Sequence, residues 1–241
     1  MERLDHSSAG GFPASLPPLP TCCSYLNLSS LSVPPSSSSS SNNGNFPDLA
    51  SWKSGPGPTL ESHYVLGGLV AGGVPKLSEA EELSKKCDLI VCLVGEITSQ
   101  TYFNNPALYP SRLSTSRCCL LHFPISDFHP APSDSDVIKL VKFISHAILK
   151  LGKTVFVHCR GGHGRTTIVA MLCLCEIKAR TSSGGEGGDD EVRRLLEKYR
   201  QLHCERRFCR FICQLPESDQ QMRQIFRLGN ALLNREPGNK S

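Results

Sequence analysis

A cysteine and an arginine lie six positions apart in a glycine-rich stretch, residues 157–167, which reads VHCRGGHGRTT. An apolar run precedes this stretch and a longer apolar run follows it, which predicts a strand, a tight turn and a buried helix. The backbone N–H groups of such a turn point inward, and the helix dipole at the same place favours negative charge. Three glycines allow the backbone to come close to a bound group. The stretch therefore predicts a site that holds a phosphate group.

Three side chains of this stretch have the chemistry to act on a bound phosphate. The field of the loop favours the thiolate form of Cys159, which is the nucleophilic form of a cysteine. Arg165 can bind two phosphoryl oxygens with its planar guanidinium group and stabilise the charge that develops during transfer. We expect Thr166 to donate its hydroxyl to the sulfur when the sulfur leaves again. The predicted phosphate-binding residues are Arg160, Gly161, Gly162, His163, Gly164 and Arg165, and His158 and Thr166 support them.

The motif His-Cys-x5-Arg-Thr at residues 158–166 resembles the signature loop of the cysteine-dependent protein phosphatases. The resemblance implies two-step hydrolysis through a phosphocysteine at Cys159, without a metal ion and without a cofactor. The position of the motif, two thirds along the chain, is similar to that in the small dual-specificity phosphatases. One residue departs from the family pattern, because Thr167 stands where a glycine is usual. Its β-branched side chain is expected to crowd the first turn of the helix and to slow turnover.

The implied reaction also needs an acid that protonates the leaving oxygen. Asp127 follows a predicted strand, opens a proline-rich turn and precedes Cys159 by 32 positions. This segment resembles the acid loop of the dual-specificity phosphatases, so we predict that Asp127 is the acid. The alternatives are Asp134 and Asp136, although both lie where a helix needs capping residues. In a purely structural interpretation Asp127 only begins the turn.

The remaining pattern from residue 61 onwards alternates between β-type and helical periods, which predicts one α/β domain. We predict strands at 64–70, 89–94, 118–125 and 154–158, and helices at 78–86, 133–151, 166–178, 191–202 and 217–233. The expected architecture is a central, mostly parallel sheet flanked by helices over residues 61–234, as in the dual-specificity phosphatases. A capping box formed by Ser78 and Glu81 is expected to open the first helix.

The first 60 residues have a different composition from the rest of the chain. They hold fifteen serines, nine prolines and five glycines but only five charged residues. Such a segment buries too little apolar surface to offset its conformational entropy, so we predict a disordered tail over 1–60. A transit peptide is the alternative, which the acidic residues Glu2, Asp5 and Asp48 disfavour. Residues 235–241 are predicted to be a flexible C-terminus.

Composition limits the class of protein further. The chain has 241 residues, of which 39% are hydrophobic, and its formal net charge is +4. This charge suits an anionic substrate but is too small to indicate a nucleic-acid partner. No apolar run reaches the length of about 20 residues that a spanning helix needs, so no stable membrane insertion is expected. The twelve cysteines are expected to be reduced thiols, which predicts a cytoplasmic location with the nucleus as the alternative.

The substrate is the least defined part of the prediction. The main interpretation is dephosphorylation of phosphotyrosine and of phosphoserine or phosphothreonine in protein partners. A phosphoinositide or another small phosphoester is the alternative, although the loop carries Arg160 and His163 where phosphoinositide phosphatases often carry lysines. A second alternative is an inactive protein that captures phosphorylated partners. Cys92, on a neighbouring strand, is a candidate for a disulfide with Cys159, and the sequence leaves the oligomeric state open.

Overall fold

The computed structural model describes residues 25–26, 56–95, 118–181, 188–204 and 214–235. The strands are β1 (Tyr25–Leu26), β2 (Ser62–Leu66), β3 (Leu69–Gly72), β4 (Leu89–Val94), β5 (Cys119–Ile125) and β6 (Val155–His158). The helices are α1 (Ala80–Lys86), α2 (Asp134–Leu151), α3 (Arg165–Thr181), α4 (Asp189–Cys204) and α5 (Asp219–Leu233), and a short 3-10 turn, Leu77–Glu79, precedes α1.

The strands form one six-stranded sheet in the order β1-β5-β4-β6-β3-β2. Among the described strands β2 and β3 pair antiparallel, and the other neighbours in the sheet are parallel. His158, at the end of β6, is paired with Gly72 of β3 on one side and with Cys92 of β4 on the other. The carboxyl ends of three parallel strands therefore meet at one edge of the sheet, which is where α/β proteins place their ligand sites.

Helices cover both faces of the sheet, which explains why β4 is apolar and buried at all six positions. The larger core lies between one face and helices α2 and α3, whereas a smaller apolar cluster lies between the other face and α1. Helix α3 is buried without interruption from Arg165 to Ile177. Helices α4 and α5 pack against its outer side. The helix that follows the predicted phosphate loop is therefore the central helix of the domain.

Most of the predicted elements are confirmed, including the single α/β domain with a mostly parallel sheet flanked by helices. The helix predicted at 133–151 begins at Asp134 with Ser133 as its N-cap, whose hydroxyl accepts from the Asp136 N–H at 3.3 Å. None of the described helices has the length and apolar character needed to cross a bilayer.

Three local predictions differ from the structure. The strand predicted at 64–70 is a hairpin, β2 and β3, because Gly67 and Gly68 permit a tight turn in the middle of the apolar run. The capping box at Ser78 is wrong, since α1 begins at Ala80 and its N-cap, Glu79, makes no side-chain cap bond. The tail predicted to be disordered over 1–60 contains a strand at Tyr25–Leu26, which pairs with β5, and the other residues up to 55 lie outside the described part of the chain. The C-terminal segment predicted to be flexible lies outside the described residues after residue 235.

Candidate active site

The turn between β6 and α3, residues 159–165, forms a concave loop that we call the cradle. Gly162 has φ +74°, a conformation that is costly for residues with a side chain. A Cβ atom at Gly162 would also lie 2.4 Å from the carbonyl carbon of Gly72 at the end of β3. The glycine is therefore required twice, for its backbone conformation and for the close contact between the cradle and the sheet.

Cys159 lies at the base of the cradle with 2% of its surface exposed. The backbone N–H of Gly162 donates to its Sγ at 3.2 Å. This amide points directly at the sulfur atom that the sequence predicts to be the nucleophile. The predicted bond from Thr166 to the leaving sulfur stays a prediction, because it concerns a step of the reaction. In this structure the Thr166 hydroxyl donates to the carbonyl of Gly72 at 3.2 Å, because β3 approaches the cradle at this point.

Arg165 closes the cradle and is buried, with 1% of its side chain exposed. Its Nη1 donates to the carbonyl of Ile125, the last residue of β5, at 3.2 Å. Its Nη2 lies 2.7 Å from Oδ1 of Asp127. The guanidinium group therefore connects the cradle to the segment that follows β5. We call this segment, residues 126–133, the acid loop.

The structure separates the three candidate acids. Asp127 is the one that lies against Arg165, and 30% of its side chain is exposed. Asp134 instead receives a double ion pair from Arg227, and the hydrogen bond from that guanidinium lowers the pKa of the Asp134 carboxyl. Asp136 pairs with Lys139 at 3.4 Å on the exposed side of α2. The predicted acid, Asp127, is thus beside the cradle, and the two alternatives have structural roles in α2.

Glu217 is a further acidic residue at the cradle, and the sequence analysis did not identify it. The backbone N–H of Gly164 bonds to its carboxylate, and Asp127 and Arg165 both act on it electrostatically. Burial and then the negative charge of Asp127 raise the pKa of Glu217. The available sequence signal was the segment 216–221, PESDQQ, which resembles the Pro-Glu-Thr-x-x-Gln start of a closing helix in small atypical dual-specificity phosphatases and which supported only the fold.

The other predicted residues of the cradle have more varied surroundings. His158 is fully buried and stacks on Phe156 with ring centroids 5.3 Å apart, and its burial lowers its pKa to about 4. Arg160 is exposed at the rim, and its carbonyl accepts from the Val74 N–H at 3.0 Å. The ring of His163, at the side of the cradle, contacts that of His203 with centroids 5.0 Å apart. Gly161, Gly162, Gly164 and Arg165 complete the loop.

Thr167 fits into α3 without interrupting the helix. Its side chain is fully buried, and its hydroxyl donates to the carbonyl of His163 one turn earlier.

The position of Cys92 does not support a disulfide with Cys159. It packs with Ile90 and Phe156 on the face of the sheet that α1 covers, whereas Cys159 belongs to the core on the other face.

The geometry assembles a nucleophile, an anion cradle, a cation and a carboxylate within one edge of the sheet. Cys159 can attack a phosphorus atom held in the cradle, Arg165 can bind its oxygens, and Asp127 can exchange a proton. Across the described part of the chain, no group of three His, Cys, Asp or Glu side chains is arranged to hold a metal ion.

Comparison with known proteins agrees with this site. A family model described as a DSP-PTPase phosphatase of polymorphic toxin systems matches residues 111–177, which include both Asp127 and the cradle. The phosphatidylglycerophosphate phosphatase PTPMT1 of Arabidopsis thaliana is 37% identical over 117 residues, which are 47% of this chain and 32% of that protein. PTPMT2 of the same plant is 37% identical over 116 residues, 47% of this chain and 46% of that protein. The chain therefore covers less than half the length of either curated relative.

Solved structures share the fold. The structure of Tk-PTP in its active form has a TM-score of 0.50 and 22% identity, and the match covers 73% of this chain and 98% of that one. The structure of PTPMT1 has a TM-score of 0.52 and 14% identity, and covers 71% of this chain and 95% of that one. At these identities the likeness concerns the fold. The family match spans the acid loop and the cradle, and it supports the resemblance of this part of the chain to the cysteine-dependent phosphatases.

Proposed function

We propose that this chain hydrolyses phosphomonoesters through a phosphocysteine intermediate on Cys159. The observation that carries the proposal is the 2.7 Å contact between Arg165 Nη2 and Asp127 Oδ1 at the mouth of the cradle that holds Cys159. This contact brings the phosphate-binding cation and the proton donor to the same place. In this scheme the amides of the cradle and Arg165 supply the positive charge, and no metal ion takes part.

In the first step the Cys159 thiolate attacks the phosphorus atom of the ester. An S–P bond forms and the P–O bond to the leaving group breaks, while Asp127 gives its proton to the leaving oxygen. The products are the free alcohol and phosphocysteine. Arg165 stabilises the charge on the phosphoryl oxygens as they pass from oxygen to sulfur.

In the second step a water molecule attacks the phosphocysteine. The Asp127 carboxylate, which lost its proton in the first step, accepts a proton from this water. A new P–O bond forms, the S–P bond breaks, and the electrons of that bond return to sulfur as the thiolate. The Gly162 N–H, 3.2 Å from the sulfur, stabilises this leaving thiolate. Inorganic phosphate leaves and the site returns to its initial state.

We propose a phospholipid or another small phosphoester as the substrate, in preference to a phosphoprotein. The 37% identity to two proteins named phosphatidylglycerophosphate phosphatases supports this choice. Phe128 also supports it, because its ring is 58% exposed directly beside Asp127. An exposed aromatic ring next to the proton donor suits the apolar part of a lipid better than an entirely polar substrate.

The test compares substrates directly. We expect release of phosphate from vesicles that contain phosphatidylglycerophosphate to exceed release from phosphotyrosyl and phosphoseryl peptides at equal concentration. Cys159→Ser should abolish both reactions and Asp127→Ala should reduce both, in the presence of a chelator. Faster hydrolysis of the peptides would restore the protein-substrate interpretation. Binding of phosphorylated ligands without any turnover would instead indicate a protein that only captures them.

A further inference from the structure

Three polar side chains at the start of α5 hold the acid loop. Ser218 is the N-cap residue of α5, and Gln221 and Gln224 follow at intervals of three, so all three lie along one side of the helix. Each of them donates to a main-chain carbonyl of the acid loop. The bonds run from Ser218 Oγ to Phe128 O at 2.8 Å, from Gln221 Nε2 to His129 O at 3.1 Å and from Gln224 Nε2 to Ala131 O at 3.0 Å.

Gln224 makes the most complete set of these bonds. Its Oε1 accepts from the Ala131 N–H at 2.8 Å, so one amide side chain satisfies both main-chain groups of one loop residue. Its Nε2 also reaches the Asp134 carboxylate at 3.0 Å. Gln224 is 4% exposed and Gln221 is fully buried, although glutamines are mostly found at the surface. Burial of an amide is unfavourable unless it is hydrogen-bonded, and here the acid loop supplies those bonds.

The acid loop needs such support because its backbone is strained. Phe128, the residue after Asp127, has φ +60°, a conformation that costs free energy in a residue with a large side chain. The carbonyl of Phe128 is the one that Ser218 holds, and the carbonyl of His129 is the one that Gln221 holds. The two residues that directly follow Asp127 are therefore both held by side chains at the start of α5.

The same network reaches Glu217 at the cradle. The Glu217 N–H donates to Gln221 Oε1 at 3.1 Å, while Gln221 Nε2 donates to the acid loop. A single buried amide therefore joins the acid loop to the residue whose carboxylate meets the Gly164 N–H. The start of α5 therefore contacts both the acid loop, through Gln221, and the cradle, through Glu217.

We propose that Gln221 and Gln224 are positioning residues that keep the acid loop closed over the cradle before substrate arrives. They act through Asp127, whose carboxylate they hold at Arg165, and they do not touch the reacting atoms. This inference rests on the proposed function, because Asp127 must be the proton donor. It predicts that loss of the glutamines affects only reactions that depend strongly on proton donation.

The dependence on the leaving group separates this role from a general structural one. An aryl phosphate has a leaving oxygen that departs readily without a proton, whereas an alkyl phosphate requires protonation as the bond breaks. A displaced Asp127 should therefore slow the alkyl ester by about 10- to 100-fold and the aryl ester by less than about 3-fold. A damaged cradle would slow both esters equally, because both need Cys159 and Arg165.

The experiment uses the full chain with Gln224→Leu, and with Gln224→Asn as the milder variant that keeps an uncharged amide on a side chain shorter by one methylene. The matched control is Gln220→Leu, an exposed residue on the same helix. The kcat/KM values for one aryl and one alkyl phosphate are measured across pH. Hydrogen exchange of the Ala131 amide is measured in parallel, because this amide is protected by Gln224 Oε1.

We expect Gln224→Leu to lose activity mainly on the alkyl ester, to flatten the alkaline limb of its pH profile and to speed exchange at Ala131. Gln224→Asn should show a smaller change of the same kind, and Gln220→Leu none. Equal losses on both esters, or unchanged alkyl hydrolysis with faster exchange at Ala131, would overturn the proposal.

If the wild type hydrolyses neither ester, the proposed function fails and the inference that rests on it fails too. Unchanged exchange at Ala131 in Gln224→Leu would show separately that Gln224 does not hold the loop.

Discussion

Asp127 Oδ1 and Arg165 Nη2 lie 2.7 Å apart, although the two residues belong to loops that follow different strands. The guanidinium group is almost completely buried, whereas the carboxylate is 30% exposed, so the pair extends from the core to solvent. In the proposed reaction this contact places the proton donor next to the residue that binds the phosphate.

Replacement of Asp127 should affect both activity and stability. We expect Asp127→Ala to lower kcat on an alkyl phosphate by about 100-fold or more, because the leaving oxygen loses its proton donor. The free energy of unfolding should fall by about 1 to 3 kcal/mol, because the variant leaves the Arg165 guanidinium without its carboxylate partner. This value is intermediate between those of exposed and of buried ion pairs, since only one of the two groups is buried. Steady-state kinetics and urea denaturation measure the two effects. The control, Asp136→Ala at an exposed pair, should change kcat little, and an equal loss there would contradict the assignment.

The ionised carboxylate of Glu217 should make the folded protein less stable at neutral pH than it is with a protonated carboxyl group. Its raised pKa means that the folded state releases this proton less readily than the unfolded state, so stability falls as pH rises through the folded pKa. Glu217→Gln removes the charge but keeps an oxygen for the Gly164 N–H. We expect this variant to melt at a higher temperature than the wild type at pH 7.

The advantage of Glu217→Gln should shrink toward pH 4, where the wild-type carboxyl takes up its proton. Thermal melts at both pH values measure this difference. Glu197→Gln is the control, because Glu197 is exposed on α4 and lies 3.8 Å from its partner Arg200. A Glu217→Gln variant that melts below the wild type at pH 7 would show that the ionised carboxylate stabilises the cradle instead.

The cradle could be predicted from the sequence because all of its residues are consecutive. Cys159, Gly162 and Arg165 lie within one turn, and local backbone geometry alone brings them together. The strands on either side were also predictable, since buried parallel strands leave continuous apolar runs such as 89–94. Sequence periodicity is informative wherever the interacting residues are neighbours in the chain.

The support of the acid loop could not be predicted in this way. Gln221 and Gln224 bond to residues about 90 positions earlier, and an amide that binds a main-chain carbonyl has no sequence pattern that identifies it. Glu217 was missed for the same reason. Its role depends on the distance to Gly164 across the site, whereas its neighbours in the sequence indicate only the start of a helix.

His158 should make the fold sensitive to acid. Its pKa is about 4 in the folded protein, well below the value of 6.5 for an exposed histidine, because the ring is buried and the charged form is disfavoured. Between these two pH values the unfolded chain binds a proton that the folded chain does not. Stability is therefore lost as pH falls from 6.5 to 4, by up to about 3 kcal/mol from this residue.

Urea denaturation of the wild type and of His158→Asn at several pH values between 4 and 7 measures this contribution. We expect the variant to lose less stability over this range than the wild type. His146→Asn, at a partly exposed position on α2, is the control and should follow the wild type. Parallel curves for His158→Asn and the wild type would mean that other groups cause the loss of stability in acid.

Phe128 is expected to lower the stability of the folded protein and to contact the apolar part of a lipid substrate. Its φ of +60° is easier for asparagine, so Phe128→Asn should raise the melting temperature. Removal of the exposed ring should raise the apparent KM on phospholipid vesicles by about 10-fold, because the apolar contact is lost. Activity on a water-soluble short-chain phosphoester should change little.

Leu151→Asn is the matched control, since Leu151 is 59% exposed at the opposite end of the sheet and Phe128 is 58% exposed. If Leu151→Asn weakens vesicle hydrolysis as much as Phe128→Asn does, Phe128 is not a specific contact for the lipid.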